Sequence, residues 1–477
     1  MLLCKSIFFE CKCIIMQLFV LIDILSSLKL RIFKCFSCSF SCINILTSEK
    51  QFYIIYITLF NAKAGKIKTF VLYTYHFFKC SIGFIIYYEG IAFLLLCNVL
   101  QYINLEAIDL CRIGSIKSKV PVSPSKALKL MIPQQEGHDN SGFAMIMKDL
   151  YGIFSDYKDK PLLSLACTQR GAQMVEEFMD SHNFVQLSEW IPIPDKKPGL
   201  DIKAMPYYIF RNYDYPEYYR DKSEEEKGEL LLDTRLALRK LLEDSGNGFV
   251  YSFWPDVLTL KEIGDPADIA TYFHLWDENG GLLAKNIVAQ CRQNTNYDIV
   301  RYAAHPFFLQ GYTLCANGEN TFYTKNKEFQ KSLHRGYIGF ESDSQNFLYT
   351  LHYVLHELKW PIEYYKHVIT PLPFEDIDKR EDKEVLTAIR QSLANLEING
   401  PNTIIANLPD GRMMTCCDSK KLRPVVVGRD ENTVAISSEV CGINEIMPNR
   451  DMTKDIYPNE REVVIINNDL EVQRCKQ

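Results

Sequence analysis

The chain has 477 residues, 47% of them hydrophobic and 23% charged, which excludes a disordered or collagen-like polymer and allows two or three domains or one large layered domain. Charge is distributed unevenly. The first 110 residues carry 10 Lys and Arg against 6 Asp and Glu, and the rest carry 43 against 53, an acidic body that excludes nucleic acid as the natural partner.

Residues 1–110 contain none of the 20 prolines and none of the four tryptophans, yet eight of the 16 cysteines. Few glycines or caps punctuate them. They read as an atypical, low-complexity hydrophobic segment, either a mis-extended start or a membrane anchor. In the anchor reading residues 82–103, with Glu89 as their one charge, are long enough to span a bilayer, whereas residues 14–28 are too short and carry Asp23. Cys35, Cys38 and Cys42 lack the second half of a metal motif.

From residue 121 the pattern becomes that of a folded α+β body. Residues 124–131 predict a helix opened by proline, and 141–147 a buried strand. Residues 223–243 begin with Ser and acids and turn basic, as a helix dipole favours. Residues 263–291 show two further helical patterns on either side of Asn279-Gly280-Gly281. Residues 346–358 place Leu348, Leu351, Leu355 and Leu358 on one helical face, and 376–397 predict a charged helix and linker. The tail from 403 reads as short strands: TIIANL, a Pro409-Asp410-Gly411 turn, then PVVVG, TVAIS and EVVIINN. The eight cysteines from Cys111 onward show no framework spacing, which predicts a reducing, cytoplasmic setting.

Four stretches suggest chemistry together: Cys111 followed by RIGSI, QQEGHDNSGFA at 134–144, VRYAAHPF at 300–307, and CANGENTF at 315–322 with FESDSQNF at 340–347. Amide hydrolysis needs a nucleophile, a base, an oxyanion site and grips for the substrate's charged ends. Cys111 supplies a thiol, and as a first residue it would also supply an α-amine of pKa near 8 as base. Asn317 and Gly318 offer a side-chain amide and a backbone N–H to an oxyanion. Arg301 offers a fork for an α-carboxylate, and Asp343 an acceptor for an α-ammonium. Taken singly, Asn317-Gly318 could be a turn, Arg301 a surface ion pair and Asp343 a helix cap. His305, His334, His352 and His356 show no H-E-x-x-H pattern, so no metal is expected. The adjacent Cys416 and Cys417 read as inert.

Order and combination resemble class II glutamine amidotransferases of the N-terminal-nucleophile (Ntn) type, specifically the glutaminase domain of glutamate synthase. The matching runs are Cys111-Arg112-Ile113-Gly114, Gly137-His138-Asp139-Asn140-Ser141-Gly142, Arg301-Tyr302-Ala303, Asn317-Gly318-Glu319, Ser342-Asp343-Ser344 and KKLRPVVVGRDENTVAISSEV at 420–440. The resemblance covers 111–477. It implies a four-layer αββα sandwich with a β-rich C-terminal part. It also implies Cys111 as the nucleophile that releases ammonia from glutamine, Asn317 and Gly318 as the oxyanion hole, and Arg301 and Asp343 as glutamine clamps. This chain would carry no cofactor, while FMN and an iron–sulfur cluster would reside on a partner synthase subunit. The alternative is a non-catalytic glutamine-binding or scaffolding relative. Three departures bear on that choice: Arg112 replaces a glycine, Gln135-Glu136 replaces His-Arg, and Cys111 is internal, so its nitrogen must be freed before it can act as a base.

Overall fold

A computed structural model describes the backbone of 39–47, 52–61, 66–77 and 80–87, and residues 111–475 apart from 135–138, 193–207, 279–280, 294–298 and 334–341. The chain divides into two compact units, Met1–Ile108 and Asp109–Gln477. In the first, β1 (Ser39–Thr47), β2 (Phe52–Asn61), β3 (Lys66–Phe77) and β4 (Cys80–Tyr87) pair antiparallel in chain order. Such strands suit runs rich in Ile, Phe, Tyr and Thr. Residues 14–28 and 88–103 lie outside the described residues. No helix among the described residues is long and apolar enough to cross a membrane.

The second unit is built on two six-stranded antiparallel sheets. The first uses β5 (Arg112–Val122), β6 (Phe143–Gly152), β12 (Val257–Glu262), β13 (Leu282–Cys291), β18 (Val426–Arg429) and β19 (Thr433–Ser437), in the order β12-β6-β13-β5-β19-β18. The second runs β14 (Phe307–Leu309), β15 (Tyr312–Gly318), β16 (Asn402–Asn407), β17 (Met413–Cys417), β20 (Val463–Ile466) and β21 (Val472–Cys475). One apolar cluster draws on both, joining Ile113 and Val288 to Cys315, Ile405, Met413 and Ile466. Because successive strand residues face opposite ways, the other faces need their own cover. Helix α1 (Pro124–Met131) covers the first sheet with Leu128 and Met131. Gly114 permits that close packing, since a Cβ there would lie 2.7 Å from Met131 Sδ. Phe347, Leu348 and Leu351 cover the second sheet.

Between β6 and β12, which pair with Lys148 opposite Val257, the chain inserts about a hundred residues. They form a small sheet, β11 (Gly248–Pro255), β7 (Pro161–Cys167), β10 (Tyr208–Asp214) and β8 (Val185–Gln186), with β9 (Ile191–Pro192) also on β10. Helices α2 (Gln169–Ser181) and α3 (Glu224–Asp244) share a separate core with it. Ser223 and Glu226 form a reciprocal capping box at the start of α3.

The expected elements at 124–131, 141–147 and 223–243 appear within a few residues. The third helical pattern, after Gly281, does not: Leu282–Cys291 is β13. It pairs between β5 and β6, and its faces enter two cores, Ile287 and Ala289 under α1 and Val288 against the second sheet, so it loses the alternation that marks a half-exposed strand.

Candidate active site

Cys111 stands one residue before β5, whose Arg112 pairs with Cys291 at the end of β13. That register brings the chain after β13 against the thiol. Cys111 Sγ donates to Gln293 O at 3.4 Å and accepts from Gln293 N at 3.3 Å. Two residues on, the strand is fixed from the other side, where Ile113 N donates to Ser438 Oγ at 2.9 Å and Ser438 N returns a bond to Ile113 O. Arg112 Nε reaches Gln134 O at 3.1 Å, beyond the end of α1.

Burial pushes the Cys111 thiol up. The Gln293 backbone bond and the Arg292 guanidinium oppose that shift, and the Asp343 and Asp139 carboxylates reinforce it. Arg292 is therefore the foremost cation near the Cys111 thiol, and the sequence reading missed it. Its signal was its place one residue past a strand end, which carries meaning only once β13 is paired with β5.

Asn317 lies on β15. Two residues earlier on the same face, Cys315 enters the core shared with Ile113, and its thiol feels the charge of Cys111. Asn317 thus faces the first sheet, one step further along toward Cys111. It is fully buried, and neither its Nδ2 nor its Oδ1 has a partner among the described residues. Leaving such a group unpaired typically costs about 1–3 kcal/mol, so it calls for a ligand. At Gly318 (φ +151°) a side chain would overlap Pro401 O, and the neighbouring Glu319 N donates to that same carbonyl at 2.9 Å.

Asp343 is buried and accepts from Asn320 N at 2.7 Å and from Ser342 Oγ at 3.2 Å. It therefore ties the NGEN loop to the start of the helix at Gln345–His352. It does not cap that helix, whose N-cap is Ser344. Burial raises its carboxyl, opposed by these hydrogen bonds. His305 links the two segments. Ala316 N donates to His305 Nδ1 at 3.3 Å, which leaves the proton on Nε2, 3.4 Å from Ser342 Oγ. Full burial holds this imidazole well below its usual range and therefore neutral.

Arg301 stands apart from this group. It is buried, its Nε donates to Glu262 Oε1 at 2.9 Å, and its Nη2 has no partner among the described residues. Glu262 closes the row Glu262–Phe143–Cys291–Arg112 across the strand ends, three strands from Arg112 and so roughly 14 Å along the sheet. Between them lies the Asp139–Gly142 turn. There Ser141 N donates to Asp139 Oδ1 at 3.0 Å, and Arg292 N donates to Gly142 O at 2.8 Å. The described residues thus bring Cys111, Arg292, Asp139 and Asp343 into electrostatic reach of one another, with Asn317 on the facing strand and Arg301 at the far side. Glu136, Gly137, His138 and His334 lie outside the described residues. Cys416 and Cys417 are buried core thiols pushed up by burial, the former beyond the range of useful ionisation and the latter to about 11.

Two proteins known by sequence and two by structure are similar to this chain. A protein of Methanothermobacter thermautotrophicus, provisionally described as a glutamine amidotransferase, is 25% identical over 204 residues, 42% of this chain and 56% of that protein. An uncharacterized protein of Archaeoglobus fulgidus is 29% identical over 309 residues, 63% of this chain and 78% of its own. Two solved structures are similar over 77% of this chain and 49% of theirs. One is the glutamine phosphoribosylpyrophosphate amidotransferase of B. subtilis with ADP and GMP (12% identity, TM-score 0.36). The other is described as the allosteric regulatory enzyme of purine biosynthesis (11%, 0.39). The chain thus spans about half the length of these two. No family model matches.

Proposed function

We propose that residues 111–477 are an Ntn-type glutamine amidotransferase unit, with the two facing sheets and their covering helices as its αββα sandwich. The observation that carries this reading is Asn317, a buried side-chain amide without a partner, on the strand facing the nucleophile's sheet. In this reading Cys111 Sγ attacks the side-chain amide carbon of glutamine. The developing oxyanion accepts hydrogen bonds from Asn317 Nδ2 and Gly318 N. The α-amine of Cys111 takes the thiol proton and passes it to the leaving nitrogen, releasing ammonia and leaving a γ-glutamyl thioester. Water then attacks that thioester, giving glutamate and restoring the thiol. Asp343 holds the substrate ammonium and the unengaged Nη2 of Arg301 its carboxylate, while Arg292 favours the thiolate.

The motif order from Cys111 to Val440 supports the finer assignment to the glutaminase half of glutamate synthase, which passes ammonia to a separate synthase subunit bearing FMN and an iron–sulfur cluster. The base in this mechanism requires a free amine at Cys111. The boundary between compact units at Ile108–Asp109 falls two residues before it.

The test is glutamate and ammonia release from glutamine by three proteins: the chain beginning at Cys111, the same chain with Cys111→Ala, and the full 477-residue chain verified unprocessed by mass. Activity is expected only in the first. Loss of the general base is worth roughly 10²–10⁴ in rate. Equal turnover by the unprocessed full chain would overturn the N-terminal-nucleophile mechanism. No turnover by the first would favour the non-catalytic glutamine-binding relative, which binding of glutamine without hydrolysis would identify.

A further inference from the structure

The run QNFLYTLHYVLHEL at 345–358 carries His352, His356 and Glu357. In an α-helix, residue 356 would lie under residue 352, but residue 357 would sit roughly 140° around the axis. The backbone does otherwise. After Gln345–His352 the helix widens into a π turn over Tyr353–Glu357, with Leu358 N donating to Tyr353 O at 2.9 Å and Trp360 N to Val354 O at 3.0 Å. In so wide a turn, His356 and Glu357 straddle the position beneath His352. The two imidazoles stack with centroids 4.5 Å apart, and His352 Nδ1 lies 4.0 Å from Glu357 Oε1. One donor atom from each of the three residues falls within 4.8 Å of the others. Single π turns inside α-helices frequently mark functional sites.

A second set of contacts orients this group. Gln310 Nε2 donates to Glu229 Oε1 on α3 at 2.9 Å, which fixes the amide so that Oε1 points the other way. That oxygen lies 2.7 Å from His352 Nε2 and accepts its proton. The tautomer follows from the network: hydrogen on Nε2, lone pair on Nδ1, facing Glu357. An imidazole that donates its outer N–H to an anchored carbonyl while presenting the other nitrogen is the usual arrangement around a bound metal. The Tyr312 ring walls the pair at 5.5 and 6.4 Å. Burial lowers His356, Lys359 adds to that effect, and Glu357, Glu225 and Glu229 oppose it.

We propose that His352 Nδ1, His356 and Glu357 form a binding site for a divalent transition-metal ion of the zinc, cobalt or nickel type, distinct from the glutamine site. Two imidazoles and one carboxylate suit such borderline ions. Metal–ligand distances of about 2.0–2.2 Å place tetrahedral donor atoms roughly 3.5 Å apart, so closure needs only a side-chain adjustment of half-buried His356 and exposed Glu357. Glu357 opens to solvent, which leaves the ion an entry path and a position for water. Bound metal would clamp the π turn and, through His352 and Gln310, brace the β14–β15 turn.

The test is titration of the full chain with Co²⁺, read by its d–d absorption and by the thermal midpoint. One equivalent should bind with a nitrogen–oxygen spectrum free of thiolate charge transfer, and the midpoint should rise. Glu357→Gln, an exposed isosteric change, should weaken binding at least tenfold, and His356→Ala should abolish that spectrum and the rise. Identical titrations of the wild-type chain and the His356→Ala/Glu357→Gln double variant would overturn the site. So would a spectrum of thiolate type alone, which cysteine binding would give.

Discussion

Burial acts differently on the two side chains at the centre of the proposed chemistry. Asn317 is buried with its polar atoms unmatched, an arrangement that is destabilising alone and favourable once an oxyanion accepts from Nδ2. Asn317→Ala is therefore expected to lower kcat by about 10²–10³ with little change in KM, measured by steady-state glutamine hydrolysis on the chain beginning at Cys111. Cys111 is half-buried beside Arg292 and Asp343, which pull its thiol in opposite directions. Arg292→Gln removes an opposing cation, so the thiol rises further, alkylation by iodoacetamide at fixed pH slows and its pH midpoint moves up. Asp343→Asn should move that midpoint the other way. A shift of the same sign in both variants would show that structural disturbance, not charge, sets the thiol.

At the scale of elements, the site depends on two junctions. The first is the register of β13 against β5, which places Gln293 and Arg292 at the nucleophile. The second is the turn out of β15, where Gly318 passes so close to Pro401 that no side chain fits. Gly318→Ala should cost at least about 2 kcal/mol in urea unfolding, through backbone strain and displacement of the Asn320–Asp343 bond. An Ala variant of unchanged stability would mean that this turn yields easily. The helix at 345–352 illustrates what periodicity conceals. Its leucine stripe was legible and does pack on the second sheet, but the π turn that follows was not, because an i→i+5 turn leaves no mark in hydrophobic spacing.

For the whole molecule, two buried histidines make stability depend on pH. His367 is lowered to about 4, by burial first and then by Lys366 and Arg380, with Asp382 opposing. His305 is also held well below its ordinary value. Above pH 6.5 neither state binds these protons. As pH falls from about 6.5 toward 4 the unfolded chain takes them up and the folded chain does not, so stability falls through that window. His367 alone is worth roughly 3 kcal/mol across it. His367→Gln should flatten the pH dependence of urea unfolding between pH 6.5 and 4, and an unchanged slope would refute the assignment. The compact unit beginning at Asp109 has its own cores, so the chain from Cys111 is expected to stay in solution without detergent and unfold cooperatively. Recovery only as aggregates would refute that.

The amino-acid order by itself determined where the composition breaks and four of the six strands in the tail, missing β17 and β21. It also marked the residues that the proposed chemistry uses: a thiol, an Asn-Gly pair, an arginine and an aspartate. These were legible because capping, turn formation and reactivity belong to residue types and near neighbours. Tertiary structure decided what depends on partners distant in sequence. It made Leu282–Cys291 a strand flanked on both sides and put Arg292 beside Cys111. It also set Arg301 against Glu262, and turned Asp343 from a candidate cap into the anchor of Asn320. It lodged a separate small sheet between two paired strands and gathered His352, His356 and Glu357 onto one face. For all but the last the physical reason is shared: pairing register and the burial that accompanies it are properties of contacts, and contacts between residues 23 to 182 positions apart leave no local trace in the chain, whereas the His352–His356–Glu357 group depends on a π turn that hydrophobic spacing does not mark.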